Sequence, residues 1–212
     1  MRTLTKELLE QLTPEKAIEL LKEGNKRFVS NLKYNRNLLQ QVNETSQGQH
    51  PFAIVLSCID SRTSAELIFD QGLGDIFSAR IAGNIVNEDI LGSMEFACKV
   101  AGSKLVVVLG HTNCGAIKGA CDDVKLGYLT GLINKIKPAI EDLKYEGEKN
   151  SKNAEFVQLV AEKNVHNMID EVTGRSSIIK EMIKNGEIGI IGGMYDVETG
   201  VVDFYDHSLQ LN

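Results

Sequence analysis

The sequence predicts an α/β fold: a mainly parallel central β-sheet flanked by helices, with an N-terminal helical arm and a C-terminal edge strand. Three observations lead there. Residues 52–57 (FAIVLS) and 105–110 (LVVVLG) are short, almost continuous apolar runs, the composition of strands covered on both faces. Stretches with helical spacing of apolar residues lie between and after such runs, so strand and helix alternate. A late run, EIGIIGG, is followed across a turn at 198–200 by VVDFYDH, the strand expected at the edge.

The chain's 212 residues suit one domain, residues 1–212, divided into a helical arm (1–45) and an α/β core (46–212). Hydrophobic residues make up 42% and charged residues 25%, which excludes general disorder. The net charge of −6 gives no overall attraction to nucleic acid or to an anionic membrane, so neither is expected as a partner. No apolar run approaches the ~20 residues of a membrane span. The opening residues are charged throughout and lack the apolar stretch of a secretory signal, so a cytoplasmic location is expected. Four cysteines are too sparse for a disulfide scaffold and are expected as thiols.

In the arm, Thr13 before Pro14 is a helix N-cap with proline at the first helical position. Ala17, Leu20, Leu21 and Phe28 follow at helical spacing, and a shorter stripe, Leu4, Leu8 and Leu12, precedes them. This amphipathic arm packs either on its own domain or across a subunit boundary. After the first strand, residues 64–70 allow a helical turn or two, and DIFSARIAG supplies a second strand ending at Gly83. Asn87 caps a helix whose inward face is Ile90, Met94, Ala97 and Ala101, with Gly102 as its stop. The LVVVLG strand runs into HTNCG and a helix beginning near Gly115. Residues 122–185 read as mostly helical and charged, broken by Pro138, the EGEKNSKN loop and Gly174.

Two of the apolar strands end in unusual polar chemistry: Ser57-Cys58-Ile59-Asp60-Ser61-Arg62 and Gly110-His111-Thr112-Asn113-Cys114-Gly115. Ligands bind beyond the carboxyl ends of parallel strands. If these two strands lie side by side, Cys58, His111 and Cys114 converge. Two thiolates and an imidazole are a three-ligand set suited to Zn²⁺, with a fourth position free. Cys98 and Cys121 read as small buried or half-buried fillers. His50, His166 and His207 lack a recognisable partner and read as structural. The run GHTNCG imitates a phosphate loop, but Ala116 stands where lysine is needed, so nucleotide binding is not expected. Asn43-Glu44-Thr45 fits a glycosylation acceptor, which matters only in a secreted chain.

The pairing of C-x-D-S-R at 58–62 with H-x-x-C-G at 111–115 resembles the zinc signature of the β-class carbonic anhydrases. Gln49 and Pro51 before the first strand, RIAGN at 80–84, GSMEFA at 92–97 and GMYDVETGVVDF at 193–204 also resemble that family, over roughly residues 14–206. The resemblance implies Cys58, His111 and Cys114 as ligands of one zinc per chain. It implies that Asp60 and Arg62 orient the zinc-bound nucleophile in an open form, and that in a closed form Asp60 becomes a fourth ligand. Arg62 beside Asp60 is expected to depress the carboxyl pKa and keep it ionised. By the same resemblance, Gln49 hydrogen-bonds substrate from a neighbouring subunit and Phe77 and Phe96 line the substrate cleft, Phe96 standing where some members have tyrosine. Gly115 falls where a side chain would crowd the cleft and the helix start.

The activity so implied is reversible hydration of CO₂ to bicarbonate and a proton by zinc-bound hydroxide, in a dimer or tetramer. Two other readings share the scaffold: a hydrolase of a CO₂ analogue such as CS₂, and a non-catalytic structural zinc or bicarbonate-sensing module. The latter calls for a closed four-ligand site, whereas only three unconditional ligands are present.

Overall fold

In the computed structural model, which describes residues 3–211, five strands form one sheet. They are β1 (Ala53–Ser57), β2 (Ile76–Arg80), β3 (Leu105–His111), β4 (Gly189–Tyr195) and β5 (Val202–Phe204), in the order β2-β1-β3-β4-β5. The first four are parallel, and β5 runs antiparallel to β4 at the edge. Every residue of β1, β3 and β4 is buried, as their unbroken apolar composition requires. Alternate residues feed two cores. Ile54, Leu56, Val106, Val108 and Ile190 face one cluster; Ala53, Val55, Leu105, Val107, Leu109 and Ile191 face the other.

The second cluster settles where the arm packs. Helix α2 (Pro14–Val29) buries Ala17, Ile18 and Leu21 against the sheet and against Ala65, Ile68 and Phe69. Its start is fixed by Thr13, whose hydroxyl accepts from the Lys16 amide at 3.3 Å. The preceding helix α1 (Lys6–Glu10) is too short to present the expected leucine stripe: Leu9 is buried, Leu8 is exposed, and Leu4 and Leu12 pack at the margin. Helix α3 (Leu38–Glu44) leaves Leu38, Leu39 and Val42 exposed.

Between strands the chain forms α4 (Ala65–Ile68), α5 (Glu88–Glu95) and, after β3, α6 (Gly115–Cys121). Asn87 caps α5 through a 2.9 Å bond from the Ile90 amide, and Gly102 at φ +84° ends the segment. The helix does not keep one period, however. Residues Phe96–Val100 form a π-helical turn; Leu91, Met94, Ala97 and Cys98 are buried, Ile90 packs partly buried against the same core, and Phe96 is 53% exposed. Helices α7 (Gly127–Asn134), α8 (Lys137–Glu141), α9 (Ala154–Arg175) and α10 (Ser177–Lys184) cover the first core. Gly174 does not break α9; the break falls at Ser176, whose hydroxyl caps α10 at the Ile179 amide. Among the described residues no helix is long and apolar enough to cross a membrane.

The strand order positions the site. From β1 the chain steps outward to β2, then crosses back to place β3 on the other side of β1. The connections leave β1 and β3 in opposite directions, which opens a crevice beyond their carboxyl ends.

Candidate metal centre

Cys58 follows β1 directly, His111 is the last residue of β3, and Cys114 is the N-cap residue of α6. The two strands are neighbours, although they are not consecutive in the chain. One Sγ, one imidazole nitrogen and the second Sγ therefore meet in the crevice, all within 4.8 Å of one another and all on buried residues. The turn that carries both later donors is held by Asn113 at φ +57°, a conformation asparagine tolerates, with Lys118 Nζ donating to Asn113 Oδ1 at 3.1 Å.

The donor set fits zinc. The sulfurs of Cys58 and Cys114 lie 4.0 Å apart as free thiols. Two thiolates on a tetrahedral Zn²⁺ with ~2.3 Å bonds would sit about 3.8 Å apart. His111 Nδ1 lies 2.9 Å from the Thr112 carbonyl, which can only accept, so the proton resides on Nδ1. That leaves a lone pair on Nε2, which is buried and has no hydrogen-bond partner. A metal is the partner such a nitrogen suits. Contact with the Cys114 thiol holds Cys58 well below the usual thiol range; the same contact, with burial, pushes Cys114 up. The two remaining cysteines are different in kind. Burial raises Cys98 to about 12 and Cys121 to about 11, as expected of inert fillers.

Asp60 is not among the converging donors. Arg62 holds both of its oxygens, and this pairing keeps its carboxyl far below the usual carboxylate range. The loop carrying Cys58 and Asp60 is pinned by residues that sequence reasoning did not single out. Thr63 Oγ1 donates to the carbonyls of Cys58 and Asp60, each at 2.9 Å. Arg80 reaches the same two carbonyls, Nε to Cys58 at 3.0 Å and Nη2 to Asp60 at 2.6 Å. The Gly83 amide donates to Cys58 Sγ at 3.4 Å. The one available signal was that Arg80 and Gly83 lie in the RIAGN block.

The expected substrate-lining residues lie apart from the donors. Phe77 and Phe96 meet edge to face, 6.3 Å between centroids, and line a groove of about 720 Å³ with Glu88, Asp89 and Ile90; none of the three donors lines it. Gln49 is exposed in the link between α3 and β1. Gly115 departs from expectation: a Cβ there would meet nothing within 4 Å, because at the first residue of α6 it points into open space. Within this chain, crowding does not explain the glycine. Of the other histidines, His166 and His207 stack with Tyr205, at centroid distances of 5.2 and 5.8 Å.

Comparison with known proteins agrees with this arrangement. Residues 53–202 match the family described as carbonic anhydrase. Carbonic anhydrase 2 of Mycobacterium tuberculosis is 37% identical over 202 residues, covering 92% of this chain and 94% of that protein. The carbonic anhydrase of Mycolicibacterium smegmatis is 33% identical over 200 residues, covering 92% and 94%. Among solved structures, the β-carbonic anhydrase CafA of Aspergillus fumigatus superposes with a TM-score of 0.68 at 25% identity, covering 91% of this chain and 90% of that one. The β-carbonic anhydrase CcaA gives 0.71 at 25% identity, covering 91% and 87%. A signature placed at a strand crossover, matched along nearly the whole chain in sequence and in fold, makes this protein a member of the β-class carbonic anhydrase family.

Proposed function

We propose that this protein catalyses the reversible hydration of CO₂ to bicarbonate and a proton, using one zinc ion per chain held by Cys58, His111 and Cys114. The observation that carries the reading is the convergence of three buried donor atoms within 4.8 Å, one of them an imidazole nitrogen with no other partner. Zinc bound there supplies Lewis-acid activation of water for attack on CO₂.

The chain's own residues supply orientation. Asp60 Oδ1 accepts two donors, the Arg62 amide at 3.0 Å and Arg62 Nε at 2.9 Å, while Oδ2 accepts one, Nη2 at 2.8 Å. A carboxylate has about four acceptor positions, so one remains, on Oδ2. That position takes the proton of the attacking water as a hydrogen bond and fixes which lone pair faces CO₂. Held on both oxygens by Arg62, Asp60 would not be available as a further ligand to a zinc held by Cys58, His111 and Cys114.

The minimal active unit we propose is a homodimer. Gln49 is exposed, and the Phe77–Phe96 groove contains no donor, so a second subunit is the natural source of the cleft's outer wall. Stopped-flow CO₂ hydration on purified protein, before and after chelation and after zinc is returned, tests the function. Activity that disappears and returns with one zinc per chain is expected; zinc-loaded protein that does not hydrate CO₂ would overturn the proposal.

A further inference from the structure

Nine residues of α9 are buried, and eight of them are apolar; the ninth is Asn164, fully buried at 0% exposure. Its Oδ1 has no hydrogen-bond partner, and an unpaired acceptor in a core is destabilising. An apolar residue of similar size would fit an otherwise apolar stripe better. Among the described residues, the one hydrogen bond its side chain makes is from Nδ2 to the Gly83 carbonyl, at 3.0 Å. Gly83 is the residue whose amide donates to Cys58 Sγ.

The Gly83 turn needs holding. It sits at φ +67°, and it is enclosed tightly enough that a Cβ would meet Ile136 Cδ1 at 2.7 Å and Ala116 Cβ at 3.2 Å. Four residues after Asn164 on the same helix, Met168 Sδ accepts from the Val86 amide at 3.1 Å. Helix α9 thus grips the segment between β2 and α5 at two points, and the first of them is one peptide unit from the sulfur contact.

We infer that Asn164 is a positioning residue for the Cys58 thiolate: it fixes the Gly83 turn so that the Gly83 amide stays directed at Cys58 Sγ. An N–H donated to a thiolate withdraws electron density from it, so Asn164 sets both the shape of the metal shell and how much charge Cys58 gives the metal. The inference rests on the zinc site proposed above.

The test is Asn164→Leu, read by metal binding as well as by activity. In chelator competition the variant is expected to hold zinc about tenfold more weakly, the lower end of what lost outer-shell contacts remove. With cobalt in place of zinc, the sulfur-to-cobalt charge-transfer band is expected at longer wavelength, because a thiolate that loses its hydrogen bond parts with charge more easily. Thermal stability should change little, because one unpaired buried acceptor, Asn164 Oδ1, is exchanged for another, the Gly83 carbonyl. A folded variant with wild-type zinc affinity and a wild-type band would overturn the inference and reduce Asn164 to packing. If the variant does not fold, the wild-type protein loaded with ¹¹³Cd decides: scalar coupling between the Gly83 amide proton and cadmium through sulfur is expected, and its absence is the overturning result. Wild-type protein that takes up no metal defeats the proposed function itself, whereas active wild type beside an unaffected variant defeats only the role of Asn164.

Discussion

Arg62 grips both oxygens of Asp60, Nε to Oδ1 at 2.9 Å and Nη2 to Oδ2 at 2.8 Å. Only a planar fork spans a carboxylate this way; a lysine ammonium is a point charge and holds one oxygen at a time. Arg62→Lys is therefore expected to behave more like Arg62→Ala than like wild type. Both should keep their zinc and lose about 10- to 100-fold in kcat/KM, the range for lost outer-shell partners. The pairing also depresses the Asp60 pKa, so wild-type activity should show no loss from Asp60 protonation above pH 5. Stopped-flow rates and metal content on the same samples check both points. A lysine variant with full activity would remove orientation of the carboxylate as Arg62's role.

The cysteines divide into two pairs. Cys58→Ser or Cys114→Ser removes a thiolate and leaves an incomplete shell, so each should abolish stoichiometric zinc. Cys98→Ser and Cys121→Ser remove thiols that burial has raised to about 12 and about 11, and both zinc and activity should survive. Metal analysis of the four variants decides. Full zinc in a Cys58 or Cys114 variant, or loss in one of the others, would reassign the ligands.

The strands and the three donors were legible because each is local: an unbroken apolar run names a covered strand, and Cys58, His111 and Cys114 sit where two such runs stop. The pinning contacts were not, because they join distant segments. Arg80 reaches Cys58 across 22 residues, and Asn164 reaches Gly83 across 81. No periodicity reports such a pairing. Period-based reading also failed where its assumption did. It placed Ile90, Met94 and Ala97 on the inward face of the helix after Asn87, where they do pack on the core, but it also placed Ala101 there, and the π turn at Phe96–Val100 rotates the end of that helix and buries Cys98 instead. Gly115 was read as a packing constraint, whereas the direction of its missing Cβ depends on how α6 leaves the crevice.

Charge at the metal sets a direction for the pH profile. Two thiolates and a neutral imidazole cancel the charge of Zn²⁺, whereas three imidazoles leave +2. A site neutralised by its ligands should activate water at higher pH than the ~7 reached with three histidines. The expected outcome is kcat/KM for hydration that climbs from pH 7 towards pH 9. A flat profile from pH 6 to 9 would defeat the charge argument.

Helix α3 carries the apolar surface a dimer would cover: Leu38, Leu39 and Val42 are 54, 72 and 49% exposed, and Leu32 nearby is 70% exposed. Leu39 is not part of the chain's own core, so Leu39→Glu should leave folding and zinc content intact. It should shift the protein towards monomer in light scattering and lower kcat/KM in step, since Gln49 lies five residues beyond the end of α3. A wild-type monomer with full activity at assay concentration would exclude the dimer as the working unit.

Besides its apolar packing, the arm is fastened to the core through a buried carboxylate. Asp70, in the left-handed region at φ +45°, accepts from Arg27 Nε at 2.6 Å, from Arg36 Nη1 and from the Tyr34 amide at 3.3 Å. Its side chain is 2% exposed and that of Arg36 is 7%. Arg36→Ala leaves the buried carboxylate with Arg27 and the Tyr34 amide alone, so it should cost up to about 3 kcal/mol of stability, the low end for breaking a buried pair. Arg27 is more exposed, at 20%, and Arg27→Ala should cost less. Burial pushes the Asp70 carboxyl up, but the bonds from Arg27 and Arg36 outweigh it and hold the pKa below its ordinary value. A depressed folded-state pKa stabilises the protein fully above the unfolded value, about 3.9, and progressively less as the pH falls below it. The stability gap between wild type and Arg36→Ala, measured by urea unfolding, should therefore be constant from pH 7 to pH 5 and narrow by pH 3. A gap that stays the same at pH 3 would mean that Arg36 acts through packing of its stem rather than through the charge of Asp70.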